Sequence, residues 1–441
     1  MSVDLWLTRV KEISLIETPV KESSSLLGEL FSVDIQNPQV SSLQNDILDN
    51  GININQKVDA VDIYDGDWPG FVELTKSYLL FCRDVDPSNM VESFYSYGQF
   101  LSDLQTAFSN VRGAILEETV YITTKVVVPQ ALSLDSQDSQ FEMIRTSFLA
   151  SVLLKIFNSI RGEKSVGEPL TKKTVIIFVA TVLCRLYFKL DQPANCASVF
   201  SNIHTANIRF SLYSLAQRVE YRYWLGRFYL NKNQLSHSYN HLLWSFKNCH
   251  SSSPNKRLIL LYLLAPAILL GKIPRYELLQ AYNLDSIYWP LIHSIKRANY
   301  QQFMTHLESN EAFFYDHRIL VLLQSRSVII LYRMILWRLV ITSRQLANND
   351  EKAASLVSFP NLQIAVRLSM GSFFPQSAVT DDYQFIESIA VSLISQGFVK
   401  ANIYPRMKLI RLKPINALPP VHDVHNANEL NLTGRERWME T

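Results

Sequence analysis

Glycine is scarce in this chain, 13 residues of 441. Phosphate-cradling loops and many-stranded β folds depend on glycine for tight turns and close backbone approach, so both are disfavoured. No Gly-x-x-x-x-Gly-Lys, Gly-x-Gly-x-x-Gly or Gly-x-Ser-x-Gly occurs. The four cysteines, Cys82, Cys184, Cys196 and Cys249, form no Cys-x-x-Cys pair, which fits buried free thiols in a reducing compartment. The two longest apolar runs, 174–184 and 258–270, fall short of the ~18 residues that cross a bilayer and are expected to be buried helices. The first residues, MSVDLWLTRVKEISLIE, lack the basic-then-apolar pattern of a secretory signal.

Metal chemistry has little to start from. His237 and His241 stand four apart, with His250 nearby, but a His-Glu-x-x-His protease needs glutamate where this chain has Ser238. His422 and His425 lie in a Pro/Asn-rich tail. Structural or surface histidines are therefore expected, with no cofactor and no catalysis.

Hydrophobic residues make up 48% of the chain and charged residues 19%, a composition that folds. The net charge of +2 hides an asymmetry, because residues 1–70 contain 12 acids and 4 bases. An acidic head on a basic body suggests a negatively charged partner along the body.

Residues 1–70 read as an acidic, loosely ordered segment. Helical periodicity takes over at Phe71, with Phe71, Leu74, Tyr78 and Phe81 on one stripe and Pro87 as the stop. Helices follow at about 90–109, 140–160, 171–189, 207–231, 234–249, 255–270 and 284–297, broken by LDQPAN, LNKNQ, CHSSSPN and GKIP. Helix pairs repeated without a strict consensus describe an all-α solenoid with tetratricopeptide-like hairpins. The expected divisions are helical repeats at 71–206 and 207–350, a winged helix at 351–414 and a tail at 415–441. Within the second set, 316–346 is apolar almost all round, so neighbours or a partner should cover it.

The winged helix is read from the end of the array. A short helix at 361–369 precedes Asp381, a candidate cap with Gln384 three residues on. Phe385, Ile386, Ile389, Ala390, Leu393 and Ile394 form an apolar stripe that Gly397 stops. Val399, Ala401 and Ile403 then alternate with Lys400, Asn402 and Tyr404 as a half-buried strand, Pro405-Arg406 turns, and KLIRL returns. The hairpin stretch 393–414 holds Lys400, Arg406, Lys408, Arg411 and Lys413 and no acid, with Phe398 and Tyr404 interleaved. Such clusters bind phosphates, and aromatic faces stack on bases. The presumed recognition helix instead carries Asp381, Asp382 and Glu387 and no cation, so RNA or DNA backbone contact without sequence readout, shared with a partner subunit, is expected, with a docking edge for a neighbouring subunit as the alternative.

A closer resemblance rests on RDVDP (83–87), IFNSIRG (156–162), LYFKLDQPANCASVFSNI (186–203), VEYRYWLGRFYL (219–230) and NKRLILLYLLAPAILLGKIP (255–274). These resemble the branch of the PCI family (proteasome lid, COP-nine signalosome, initiation factor) that contains a subunit of the mRNA-export complex TREX-two and its signalosome-associated sister. The resemblance implies a non-enzymatic subunit of the nucleus and nuclear pore, linking transcription elongation to mRNA export, or, if the chain is the signalosome-associated sister, a subunit linked to splicing that acts by protein–protein contacts alone. It implies as partners a large Sac/GANP-type scaffold, a small acidic Sem/Dss-type subunit and nuclear pore components, with no membrane. Candidate partner contacts are Lys256 and Arg257, cations on a helix's first turn that oppose its dipole, and Arg326, Arg333, Arg338 and Arg344 along 316–346.

Overall fold

A computed structural model of the chain describes residues 1–16, 21–137, 142–163, 171–206, 208–346, 355–376, 383–429 and 438–439. It forms two compact units, Met1–Trp224 with Glu436–Thr441, and Leu225–Arg435. The class is the expected one, an all-α solenoid ending in a winged helix.

The first unit begins with α1 (Val3–Ser14), α2 (Lys21–Leu30), α3 (Pro38–Asp49) and α4 (Ile54–Asp59). This stretch was expected to be loosely attached, and the structure corrects that. α1 repeats apolar residues at helical spacing, and Val3, Trp6, Leu7, Val10 and Ile13 are all buried. Trp6 stacks on Tyr78 at 5.2 Å and meets Phe31 edge-on at 5.4 Å, while its indole N–H donates to the Leu30 carbonyl at 3.0 Å. The acids lie on the other side of these helices, where Asp4 pairs with Lys57 at 2.8 Å. An amphipathic helix can carry a net negative charge and still pack, because the two properties occupy different faces.

Paired helices continue with α5 (Pro69–Asp84) on α6 (Met90–Ser109), α7 (Glu117–Gln137), α8 (Ile144–Arg161) on α9 (Ile176–Lys189), and α10 (Cys196–Thr205). Phe71, Leu74, Tyr78 and Phe81 are buried on α5, as their spacing indicates. α9 is apolar and buried on nearly every side, Arg185 being an exposed exception, which is the outcome expected for 174–184. The boundary between the units falls within α11 (Leu215–Asn231).

The second unit packs α12 (Leu235–Asn248) on α13 (Asn255–Leu269), then α14 (Tyr276–Ala281), α15 (Asp285–Arg297), α16 (Tyr300–Ser309) and α17 (Glu311–Asp316). The long helix is shorter than 316–346: α18 runs Leu320–Leu346, after Arg318 turns the chain with φ 57°. By length and composition it could span a membrane, but it packs on α13, α15, α16 and α17 through residues such as Leu323, Ile330, Leu331 and Ile335. Val321 and Leu346 stay exposed.

The winged helix follows as β1 (Leu356–Ser358), α19 (Phe359–Met370), α20 (Gln384–Ser395), β2 (Ala401–Tyr404) and β3 (Leu409–Leu412). The sheet order is β1-β3-β2, antiparallel throughout, with β3 in the centre. Three residues of β1 are too few for a period-2 pattern to stand out, so sequence reading finds only the hairpin. The segment after Pro414 is more than a tail: α21 (Val421–Glu429) packs on α12.

Candidate nucleic-acid interface

The hairpin register sorts the basic residues. β2 and β3 pair Ala401 with Leu412, Asn402 with Arg411 and Ile403 with Ile410, and the Lys413 amide donates to the Lys400 carbonyl at 2.9 Å. Side chains opposite one another share a face, and the face alternates along each strand. Ala401, Ile410 and Leu412 are therefore buried together, with Ile403 half-buried beside them. Lys400, Asn402, Tyr404, Arg411 and Lys413 make up the outer face, all exposed.

Arg406 and Lys408 are also exposed but lie off this face. Arg406 sits in the Pro405–Met407 turn, and Lys408 ends that turn with φ 56°. The Lys408 carbonyl accepts from the Phe359 amide at 2.8 Å, and its ammonium lies 4.8 Å from the Tyr383 ring centroid. The five cations thus form a triad of Lys400, Arg411 and Lys413 on the sheet and a separate pair at the tip. Among the described residues, no carboxylate lies within ion-pair distance of Lys400, Arg406, Arg411 or Lys413.

Of the two interleaved aromatics, only Tyr404 is available, 40% exposed. Phe398 is buried against the His425 ring at 5.6 Å, so its expected role as a stacking surface is withdrawn. Phe398 directly precedes Val399, and both turn inward. α20 buries Ile386, Ile389, Ala390 and Leu393 and exposes Gln384, Ser388 and Val391, with no Lys or Arg on any face. Asp381, the expected cap, and Asp382 lie outside the described residues, and Tyr383 at φ 53° leads into the helix.

The candidate partner residues divide in two. Lys256 donates to the Cys249 carbonyl at 2.8 Å, and Arg257 to the Tyr282 carbonyl at 3.0 Å. Internal carbonyls thus compensate the first-turn cations that seemed to call for an acidic partner. Arg333 donates to the carbonyls of Leu418 at 3.3 Å and Pro419 at 2.8 Å, and Arg338 reaches the Lys296 carbonyl twice. Arg326 and Arg344 are exposed on α18. Sequence reading missed the tail's hold on Arg333, because 85 residues separate the partners. His237 and His241 are buried and lie against the Tyr229 ring at 5.2 and 5.6 Å, and no group of three metal-ligand residues occurs among the described residues.

A helical array that ends in a winged helix defines the class, and the relatives agree with that architecture. The chain is 28% identical over 406 residues to PCI domain-containing protein C1105.07c of Schizosaccharomyces pombe, covering 89% of this chain and 90% of the relative. It is 24% identical over 388 residues to nuclear mRNA export protein THP1 of Saccharomyces cerevisiae, covering 80% and 84%. PCI domain-containing protein 2 of Danio rerio is 28% identical over 277 residues, covering 62% and 64%. No protein-family model matches the chain. The chain is a homologue of PCI-domain proteins, among them a yeast mRNA-export protein.

Proposed function

We propose that this protein is a non-catalytic PCI subunit of a nuclear mRNA-export complex of the TREX-two type, coupling transcription elongation to export at the nuclear pore. In this reading it joins a large Sac/GANP-type scaffold and a small acidic Sem/Dss-type subunit. The outer face of its wing holds RNA or DNA backbone without reading sequence. The export role is supported by similarity to THP1 over most of both chains. The nucleic-acid role is carried by one observation, the exposed triad Lys400, Arg411 and Lys413 on a single sheet face with no carboxylate in ion-pair reach among the described residues.

Phosphates neutralise such a face, and Tyr404 beside it can stack on an unpaired base. α20 offers neutral and acidic side chains, which suit neither phosphate nor a major-groove base edge through Arg or Lys. Binding is therefore set by the backbone. The test is recovery of the tagged protein from nuclear extract, followed by RNA binding of the recovered complex. Export factors and pore components among the recovered proteins support the reading. Signalosome components in their place, with no nucleic acid, oppose it.

A further inference from the structure

The second unit holds a partly open cavity of about 340 Å³ between α13, α15, α18 and the start of α21, apart from the wing face. Its walls are aliphatic, with Ile268, Ile292, Ile330 and Met334 among them. Among the described residues, the charged side chains that line it, Arg333 and Lys296, are both cations. His422 closes one side and is paired with Asp423 at 3.2 Å. The Lys296 side chain is exposed, its ammonium 5.5 Å from the Trp289 ring centroid, whereas Arg333 is half-buried at the cavity.

The Arg333 guanidinium has donors to spare. Nη2 is used by the Leu418 and Pro419 carbonyls, Nη1 has the Met334 sulfur at 3.8 Å and keeps its second N–H, and Nε is buried away from the cavity with no partner among the described residues. A guanidinium carries five N–H donors, and leaving buried ones unmet is costly. Burial also lowers the Arg333 pKa from its ordinary value, the direction expected when a charge lacks a counter-ion. A ligand that suits this space needs an apolar body and a single anionic head. At the ~30 Å³ that a water occupies in the liquid, the volume holds roughly ten non-hydrogen atoms, and pockets of this size hold small molecules.

We propose that this cavity binds a small aliphatic carboxylate, its chain against Ile268, Ile292, Ile330 and Met334 and its carboxylate on the Arg333 guanidinium. Octanoate has the right size and chemistry to serve as the probe, and 1-octanol has the same chain without the charge. Calorimetric titration of the full-length protein should show one octanoate per chain, with octanol at least tenfold weaker, as expected for a charge-assisted hydrogen bond. Arg333→Met should remove the preference for octanoate over octanol. Because that change also releases the Leu418 and Pro419 carbonyls, a second variant keeps the charge. Ile273→Trp, at a rim position 40% exposed, should fill the space and block both ligands with the fold intact. Equal affinity for octanoate and octanol, octanoate binding that survives Ile273→Trp, or no binding at millimolar octanoate would each overturn the proposal.

Discussion

Lys400 and Lys413 stand opposite each other across β2 and β3, the Lys413 amide bonded to the Lys400 carbonyl at 2.9 Å. Like charges directly opposite one another destabilise a sheet by roughly 0.2–1 kcal/mol. Arg411, two residues from Lys413 on the same face, adds to the repulsion. An external anion that removes this cost is the simplest physical reason for three cations on one face. Lys413→Glu should therefore raise the melting temperature slightly while weakening RNA binding. Two effects of opposite sign from one substitution are hard to obtain from a face with no ligand. A drop in both would count against the interface.

Tyr404→Ala is expected to weaken single-stranded RNA by about 1–3 kcal/mol, the usual worth of one stacked base. Duplex binding should change much less, since paired bases offer no free ring face. Fluorescence anisotropy with a single strand and its duplex makes the comparison. The same change at Phe398, a buried ring, should lower stability instead.

Trp6→Ala tests the corrected account of the N-terminal helices. Trp6 is fully buried among Phe31 and Tyr78, so its truncation should cost about 3–5 kcal/mol, read by denaturant unfolding. A loosely attached segment would show almost no change.

The arginines of α18 should separate by what they already hold. Arg326→Glu with Arg344→Glu should release the proposed acidic subunit in a pull-down with the melting temperature unchanged, because both side chains are exposed. Arg338→Glu should cost about 1 kcal/mol of stability through its bonds to the Lys296 carbonyl.

His425 makes the docking of α21 depend on pH. Burial, and to a lesser degree the nearby Arg326 charge, lower its imidazole below the ordinary value of 6.5. The unfolded chain takes up a proton from about pH 6.5 downward, and the folded chain resists it. The stabilisation is thus complete above about 6.5 and is lost as pH falls through the lowered folded value. Protection factors of the 421–429 amides, which normalise for the slower intrinsic exchange at low pH, should fall at pH 5 relative to pH 7.5, and His425→Phe should remove the difference.

Much of this architecture was legible in the sequence because helical periodicity is local. The stripes on α5 and α20 and the long apolar runs of α9 and α13 have one physical reading each. α1 had an equally clear stripe, Val3, Trp6, Leu7, Val10 and Ile13, but the acids of residues 1–70 drew the reading towards disorder. The wing cations were legible as a cluster, yet their division was not. It depends on the register of β2 on β3 and on the Pro405–Met407 turn, which decide that Arg411 faces out with Lys400 while Lys408 folds over Tyr383. Phe398 was misplaced for a different reason, since it packs against His425 of α21, distant in sequence.

The most direct test of the account is the salt dependence of single-stranded RNA binding by Lys400→Glu, Arg411→Glu and Lys413→Glu combined. All three positions are exposed, so the variant should fold, which its melting temperature checks. If each cation meets one phosphate, the slope of log affinity against log salt should flatten by about 2, at roughly 0.7 per contact, and affinity at low salt should collapse. Ser388→Glu on α20 should leave both quantities as they are. An unchanged slope and affinity in the triple variant would contradict the account, and the wing would then not be where this protein holds nucleic acid.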